Sequence, residues 1–305
     1  MKRIMGFLMA GAIMLSLVGC GAKSPQTPNN TVAEGNTSRP AEETELQRPA
    51  SNNETTSSPA EAEPSASPID SLTVVSSGTY DGVPYAFLEK ADGTYHLTIG
   101  ETGKTYTYLG EPKTTSSWPW YHYQDIITSA EFLGTVIGTG DMAHMFFYMG
   151  KLESIDFTNF RTEGMTDMSS MFMSCVCLKD LDLSNFDTTS VRDMHQLFWK
   201  CNSLTKLDLS TFDTTSATDL SSMFQWCENL EEVDISGFDT ANAITTEYMF
   251  RNCPNLSKIT VGAGFINASR GKFLTTFPGT MRSENSGAVY NADDVIPDGA
   301  DIYTK

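Results

Sequence analysis

Positive charge is scarce in this sequence. Lys and Arg number 20 against 38 Asp and Glu, a formal charge of −18. Nucleic acid requires a basic face to neutralise phosphate, so this balance argues against that partner. It argues equally against adhesion to an anionic membrane through basic residues. Histidine is also sparse: the four are His96, His122, His144 and His195, and none has a recurring partner. The chain contains no H-E-x-x-H, no G-x-S-x-G and no G-x-x-x-x-G-K-[ST]. Without such a motif the expectation is that the protein is not an enzyme. The apolar run at the N-terminus, Ile4 to Val18, is shorter than the roughly 20 residues a membrane helix needs.

That run follows Lys2 and Arg3 and ends in Leu17-Val18-Gly19-Cys20. A charged start, a short apolar stretch and small residues before a cysteine resemble the signal of bacterial lipoproteins. The resemblance implies cleavage of residues 1–19 and lipidation of Cys20. Acyl chains would then hold the mature chain on the outer side of the cell membrane. Residues 20–70 follow, with seven Pro, no aromatic and few large aliphatics. Such a segment buries too little apolar surface to offset its ordering entropy. It reads as a tether, spanning about 40 Å on average and at most roughly 175 Å when stretched.

The middle of the chain repeats itself. Phe146, Phe172, Phe198, Phe224 and Phe250 are each 26 residues apart. Leu152, Leu178, Leu204, Leu230 and Leu256 keep the same step, as do Cys175, Cys201, Cys227 and Cys253. Within a unit Met168, Met171, Phe172 and Cys175 stand at i, i+3, i+4 and i+7, which predicts two helical turns. Asp167, Asp193 and Asp219 precede these runs and suit an N-cap. The period then changes to two in Leu181-Asp182-Leu183, Leu207-Asp208-Leu209 and Val233-Asp234-Ile235, predicting a strand with Asp outward. One turn and one strand cannot close a core alone, so the units must stack. The expected fold is an α/β repeat, a solenoid of parallel strands and short helical turns.

The L-x-x-L-x-L spacing resembles the leucine-rich repeat. The fuller text "DMSSMFMSCVCLKDLDLSNFDTTSV" resembles the BspA-like leucine-rich-repeat surface proteins. "PWYHYQDIITSAEF" and the C-terminal "GAVYNADDVIPDGADIYTK" resemble that family's flanking segments. The resemblance implies a leucine-rich-repeat solenoid over 126–265 and a closing segment over 266–305. It also implies adhesion to extracellular proteins or cell-surface ligands, host matrix included. Arg161 departs from the pattern set by Asp187, Asp213 and Asp239, as expected of a terminal unit. Residues 71–125, with "VPYAFLEK", "GTYHLTIG" and "KTYTYLG", read as a separate β-rich cap of short antiparallel strands. Ile126, Ala130 and Phe132 read as a first half-rung linking that cap to the stack.

Four of the six cysteines fall once per unit at a core position, which suits buried thiols. A disulfide through an exposed Cys177 and a zinc site remain open beside that reading. Asp156, Asp182, Asp208 and Asp234 should project from successive strands about 5 Å apart. A solvated ladder is the first reading and calcium the second, since calcium takes several oxygen ligands. Asp187, Asp213 and Asp239 suit side-chain-capped turns. No cofactor is expected apart from that calcium possibility. Two faces are candidate partner sites. The strand face carries Asp180, Asp182, Lys206, Asp208, Glu232 and Asp234, with Ser184, Ser210 and Ser236 beside them. The turn face carries Phe147, Tyr148, Trp199 and Trp226, which either pack between turns or bind. The functional expectation is a lipid-anchored interaction or adhesion module. The alternative is an envelope-proximal structural or carbohydrate- or peptide-binding lipoprotein.

Overall fold

A computed structural model describes residues 72–108, 118–266 and 277–305, all within the compact unit Ser71–Lys305. The signal, Cys20 and the tether lie outside the described residues.

Three long strands open the unit: β1 (Thr73–Tyr80), β2 (Val83–Glu89) and β3 (Tyr95–Tyr108). β1 and β2 pair antiparallel, as do β2 and β3, but β3 then pairs parallel with β4 (Ile127–Gly138). The expected separate cap is therefore part of the first sheet of the stack. The two runs "GTYHLTIG" and "KTYTYLG" are one strand, with the register slipping between Gly100 and Thr105. Gly100 (φ 88°) and Gly134 (φ 70°) make that slip possible. A Cβ at Gly134 would lie 2.2 Å from the Glu101 carbonyl oxygen, so only glycine fits.

Beyond β4 the chain climbs in rungs. β5 (Gly140–Asp141), β6 (Ser154–Asp156), β7 (Phe160–Arg161) and β8 (Met165–Asp167) are short, and β6 and β7 both pair parallel with β4. The strand column resumes with β9 (Lys206–Asp208), β10 (Glu232–Ile235) and β11 (Lys258–Val261), paired parallel. Residues 180–183 lie between these two sheets and belong to no strand, although Leu183 is buried. Leu181 is only half-buried there, against 8% exposure for Ile155 and 4% for Leu207. The half-rung is present, with Ile127 in the place expected of Ile126. Ala130 pairs with Ile155, Phe132 stacks on Phe157, and Ile127 is the buried residue while Ile126 is exposed.

The expected helical turns are absent. No described residue of the repeats is α-helical. The N–H groups of Met168, Ser170, Phe172 and Ser174 donate to Asp193, His195, Leu197 and Trp199 of the next rung, at 2.7–3.0 Å. Only the alternate amides of Met171, Met173 and Cys175 donate within the rung, three residues back. Ser170 (φ 55°) and Ser174 (φ 62°) are left-handed, as are the equivalent residues of each later rung, which no α-helix permits. Two consecutive four-residue turns thus bury Met168, Met171, Phe172 and Cys175 with the spacing a helix would give. The expected N-caps become turn caps: the carboxylates of Asp167, Asp193 and Asp219 accept from the N–H of Ser169, His195 and Ser221.

The core is columnar. Phe146, Phe172, Phe198, Phe224 and Phe250 stack with centroids 5.9, 5.6, 5.7 and 5.3 Å apart and planes within 8°. Trp120 stands one period before Phe146 and stacks on it, with Trp118 stacked beyond. Six rungs therefore share the column from Trp120 to Phe250, and the stack is a β-solenoid. The Cys residues form a second column. The Sγ atoms of Cys175, Cys201, Cys227 and Cys253 approach the carbonyls of Phe146, Phe172, Phe198 and Phe224 at 2.9–3.1 Å, and these four thiols are free and buried. Cys177 is buried rather than exposed and is not one of the free thiols.

Buried threonines form a third column. Thr162, Thr188 and Thr214 each donate to the carbonyl of the next rung's Asp (Asp187, Asp213, Asp239) and accept its N–H. At the far end β12 (Met281–Ser283), β13 (Val289–Tyr290) and β14 (Asp301–Thr304) close the sheet, with β14 antiparallel to β11. That reversal covers an edge that parallel stacking would otherwise leave open.

Candidate functional site

The strand column positions the candidate residues. Parallel register sets Lys206 beside Glu232, Glu232 beside Lys258, and Asp208 beside Asp234. Upstream it sets Glu131 beside Asp156, so the acidic column begins in the first sheet. Alternation turns Leu207 and Val233 inward and leaves Asp208 outward. A shallow groove of about 490 Å3 runs over this face. It gathers Asp180, Asp182, Lys206, Asp208, Glu232 and Asp234, together with Lys258 and Thr260. All six residues named from the sequence for this face are therefore in one place.

The carboxylates are held in defined directions. Oδ1 of Asp156, Asp182, Asp208 and Asp234 accepts from the backbone N–H two residues on, at 2.8–2.9 Å. These turns leave the second oxygen of each carboxylate outside that bond. Hydrogen bonds from Thr158, Ser184 and Ser210 hold Asp156, Asp182 and Asp208 below the usual carboxylate range. Lys206 Nζ lies 2.6 Å from Glu232 Oε1, and this contact raises the lysine and lowers the glutamate. A parallel pair, Lys179 and Glu153, lies 2.7 Å apart. The groove holds five carboxylates (Asp180, Asp182, Asp208, Glu232, Asp234) and two ammonium groups (Lys206, Lys258), so its own charge is acidic.

Among the described residues no three His, Cys, Asp or Glu converge as an ion site. Each ladder carboxylate is committed to a turn of its own rung. Asp187, Asp213 and Asp239 cap turns as expected, through the N–H of Thr189, Thr215 and Ala241.

On the turn face Trp226 is 42% exposed and Trp199 is half-buried, with Lys200 Nζ 5.9 Å from the Trp199 ring. The two belong to different columns: Trp199 aligns with Phe147 and Met173, Trp226 with Tyr148 and Ser174. Phe147 and Tyr148 lie tilted against each other at 4.4 Å. Sequence reasoning missed the buried threonine column, although Thr162, Thr188, Thr214 and Thr240 keep the 26-residue step. It also missed Trp120, which the 26-residue step would have found.

Residues 140–261 match the model of a family described as a Mycoplasma protein of unknown function, DUF285. No curated protein matches the sequence. A solved structure of a leucine-rich repeat protein from Eubacterium ventriosum ATCC 27560 is similar at 11% identity with a TM-score of 0.18. The match covers 57% of this chain and 82% of that one.

Proposed function

We propose that this protein is a non-catalytic interaction module, lipid-anchored at Cys20 on the outer side of a cell membrane, that captures a basic extracellular partner along its strand face. One observation supports the choice of face: successive rungs bring Asp180, Asp182, Asp208, Glu232 and Asp234 into one groove, with Asp182, Asp208 and Asp234 fixed in direction by turns. A rigid, regularly spaced acidic array suits an extended basic chain, because complementary potentials steer encounter and fix register. Adhesion, to host matrix or to another cell surface, is the role such a module serves in this reading. A structural or carbohydrate- or peptide-binding role close to the envelope is the alternative.

The test compares two folded double variants in capture from extracellular-matrix extract and from purified cell wall. Asp182→Lys/Asp208→Lys should abolish capture, and capture by the wild type should weaken with salt. Trp199→Ala/Trp226→Ala should leave it intact. Capture that survives the charge reversal and disappears with the tryptophans would overturn this choice of face.

A further inference from the structure

Three residues in the rung of residues 244–253 differ in chemistry from their counterparts in the earlier rungs. Ile244 stands where earlier rungs carry Thr166, Arg192 and Thr218. Glu247 stands where they carry Ser169, His195 and Ser221. Tyr248 stands where they carry His144, Ser170, Gln196 and Ser222. None of the three serves the stack: Ile244 is 70% exposed, Tyr248 is 44% exposed and Glu247 is half-buried. Tyr248 also holds a left-handed φ of 61°, a conformation a bulky side chain adopts at a cost.

All three line one open depression of about 550 Å3 on the turn face, completed by His195, Ser221, Ser222 and Thr245. That volume lies within the range of small-ligand sites. Its chemistry is mixed. Ile244 and Tyr248 supply an apolar wall, while the imidazole, carboxylate and hydroxyl groups supply donors and acceptors around it. His195 Nδ1 is engaged with Ser221 Oγ at 2.8 Å, so one side of the imidazole is fixed by a neighbouring rung. The Arg251 guanidinium lies 4.8 Å over the Tyr248 ring. Glu247 is the one carboxylate of the lining, and Arg251 stands against the neighbouring Tyr248, so the lining carries no array of one charge.

We infer that this cavity is a carbohydrate subsite, taking a neutral pyranose whose C–H face lies on Ile244 and Tyr248 and whose hydroxyls bond His195, Glu247 and the serine and threonine hydroxyls. Apolar contact on one face with dispersed hydrogen bonding around the rim is the recognition a sugar ring requires. The site is distinct from the acidic groove and stands or falls separately.

The test uses glucose, galactose, N-acetylglucosamine and their dimers as probes, with binding followed by NMR titration of the full chain. At least one should saturate. The variant Ile244→Thr/Glu247→Ser/Tyr248→Ser restores the residues of the preceding rung, so the stack has a template for it. It should weaken that sugar at least tenfold, whereas Asp182→Lys/Asp208→Lys should leave its affinity unchanged. Tyr248→Phe keeps the ring and should retain most of the affinity. No saturation by any probe, or equal affinity in the triple variant, would overturn the assignment.

Discussion

At the residue scale the aspartates do two different jobs with one side-chain geometry. Asp182 and Asp208 are exposed caps, and their turn hydrogen bonds lower their pKa. A carboxyl with a lowered folded pKa contributes stability above its unfolded pKa and loses it as pH falls through the folded value. Acidification below the ordinary carboxylate range should therefore lower Tm progressively, and both groups lose their partner-binding charge in the same window. Asp193 goes the other way. Burial raises it, its hydrogen bond from His195 opposes that, and Asp167 and Asp219 add repulsion. A carboxyl with a raised folded pKa opposes the fold as pH rises past its unfolded value. Asp193→Asn keeps the acceptor for the His195 N–H and removes the charge, so Tm should rise at neutral pH. The gain should vanish once acid protonates Asp193. A lower Tm for the variant at neutral pH would show that the charge itself supports the turn.

At the element scale the rung is the unit, and most of it was legible. The step of 26 residues located Phe198, Leu204 and Cys201 in the core, and all are buried. The helical reading failed because burial pattern and backbone conformation are separate matters. Met168, Met171, Phe172 and Cys175 face inward either way, and the destination of the Ser170 and Phe172 amides tells turn from helix. That destination is another rung, which local spacing cannot reveal. The same applies to Thr188, whose buried hydroxyl bonds Asp213 25 residues on. The strand-face groove was legible because alternation fixes outwardness, whereas the turn-face cavity depended on where three departures meet. Phe198 sits between two rings at 5.6 and 5.7 Å. Phe198→Ala should cost about 3–5 kcal/mol. Because rungs contact only their neighbours, amide exchange should rise first in the rungs of Phe172 and Phe224. An unchanged melt would contradict the column.

At the scale of the whole molecule, Trp118 and Trp120 cap the Phe column before its first Phe, and β14 covers β11 at the far end. The proposed membrane anchor is Cys20. Cys20→Ala should release the protein from the membrane fraction or leave it unprocessed, and fatty-acid label retained by the variant would refute the anchor. The central claim is that a partner docks on the acidic strand face. Site-specific photocrosslinking tests it most directly, with a photoreactive residue placed at position 182 in one variant and at 226 in another. The account predicts that the captured extracellular partner crosslinks from 182, in a yield that falls with salt, and not from 226. Crosslinking from 226 alone would contradict it.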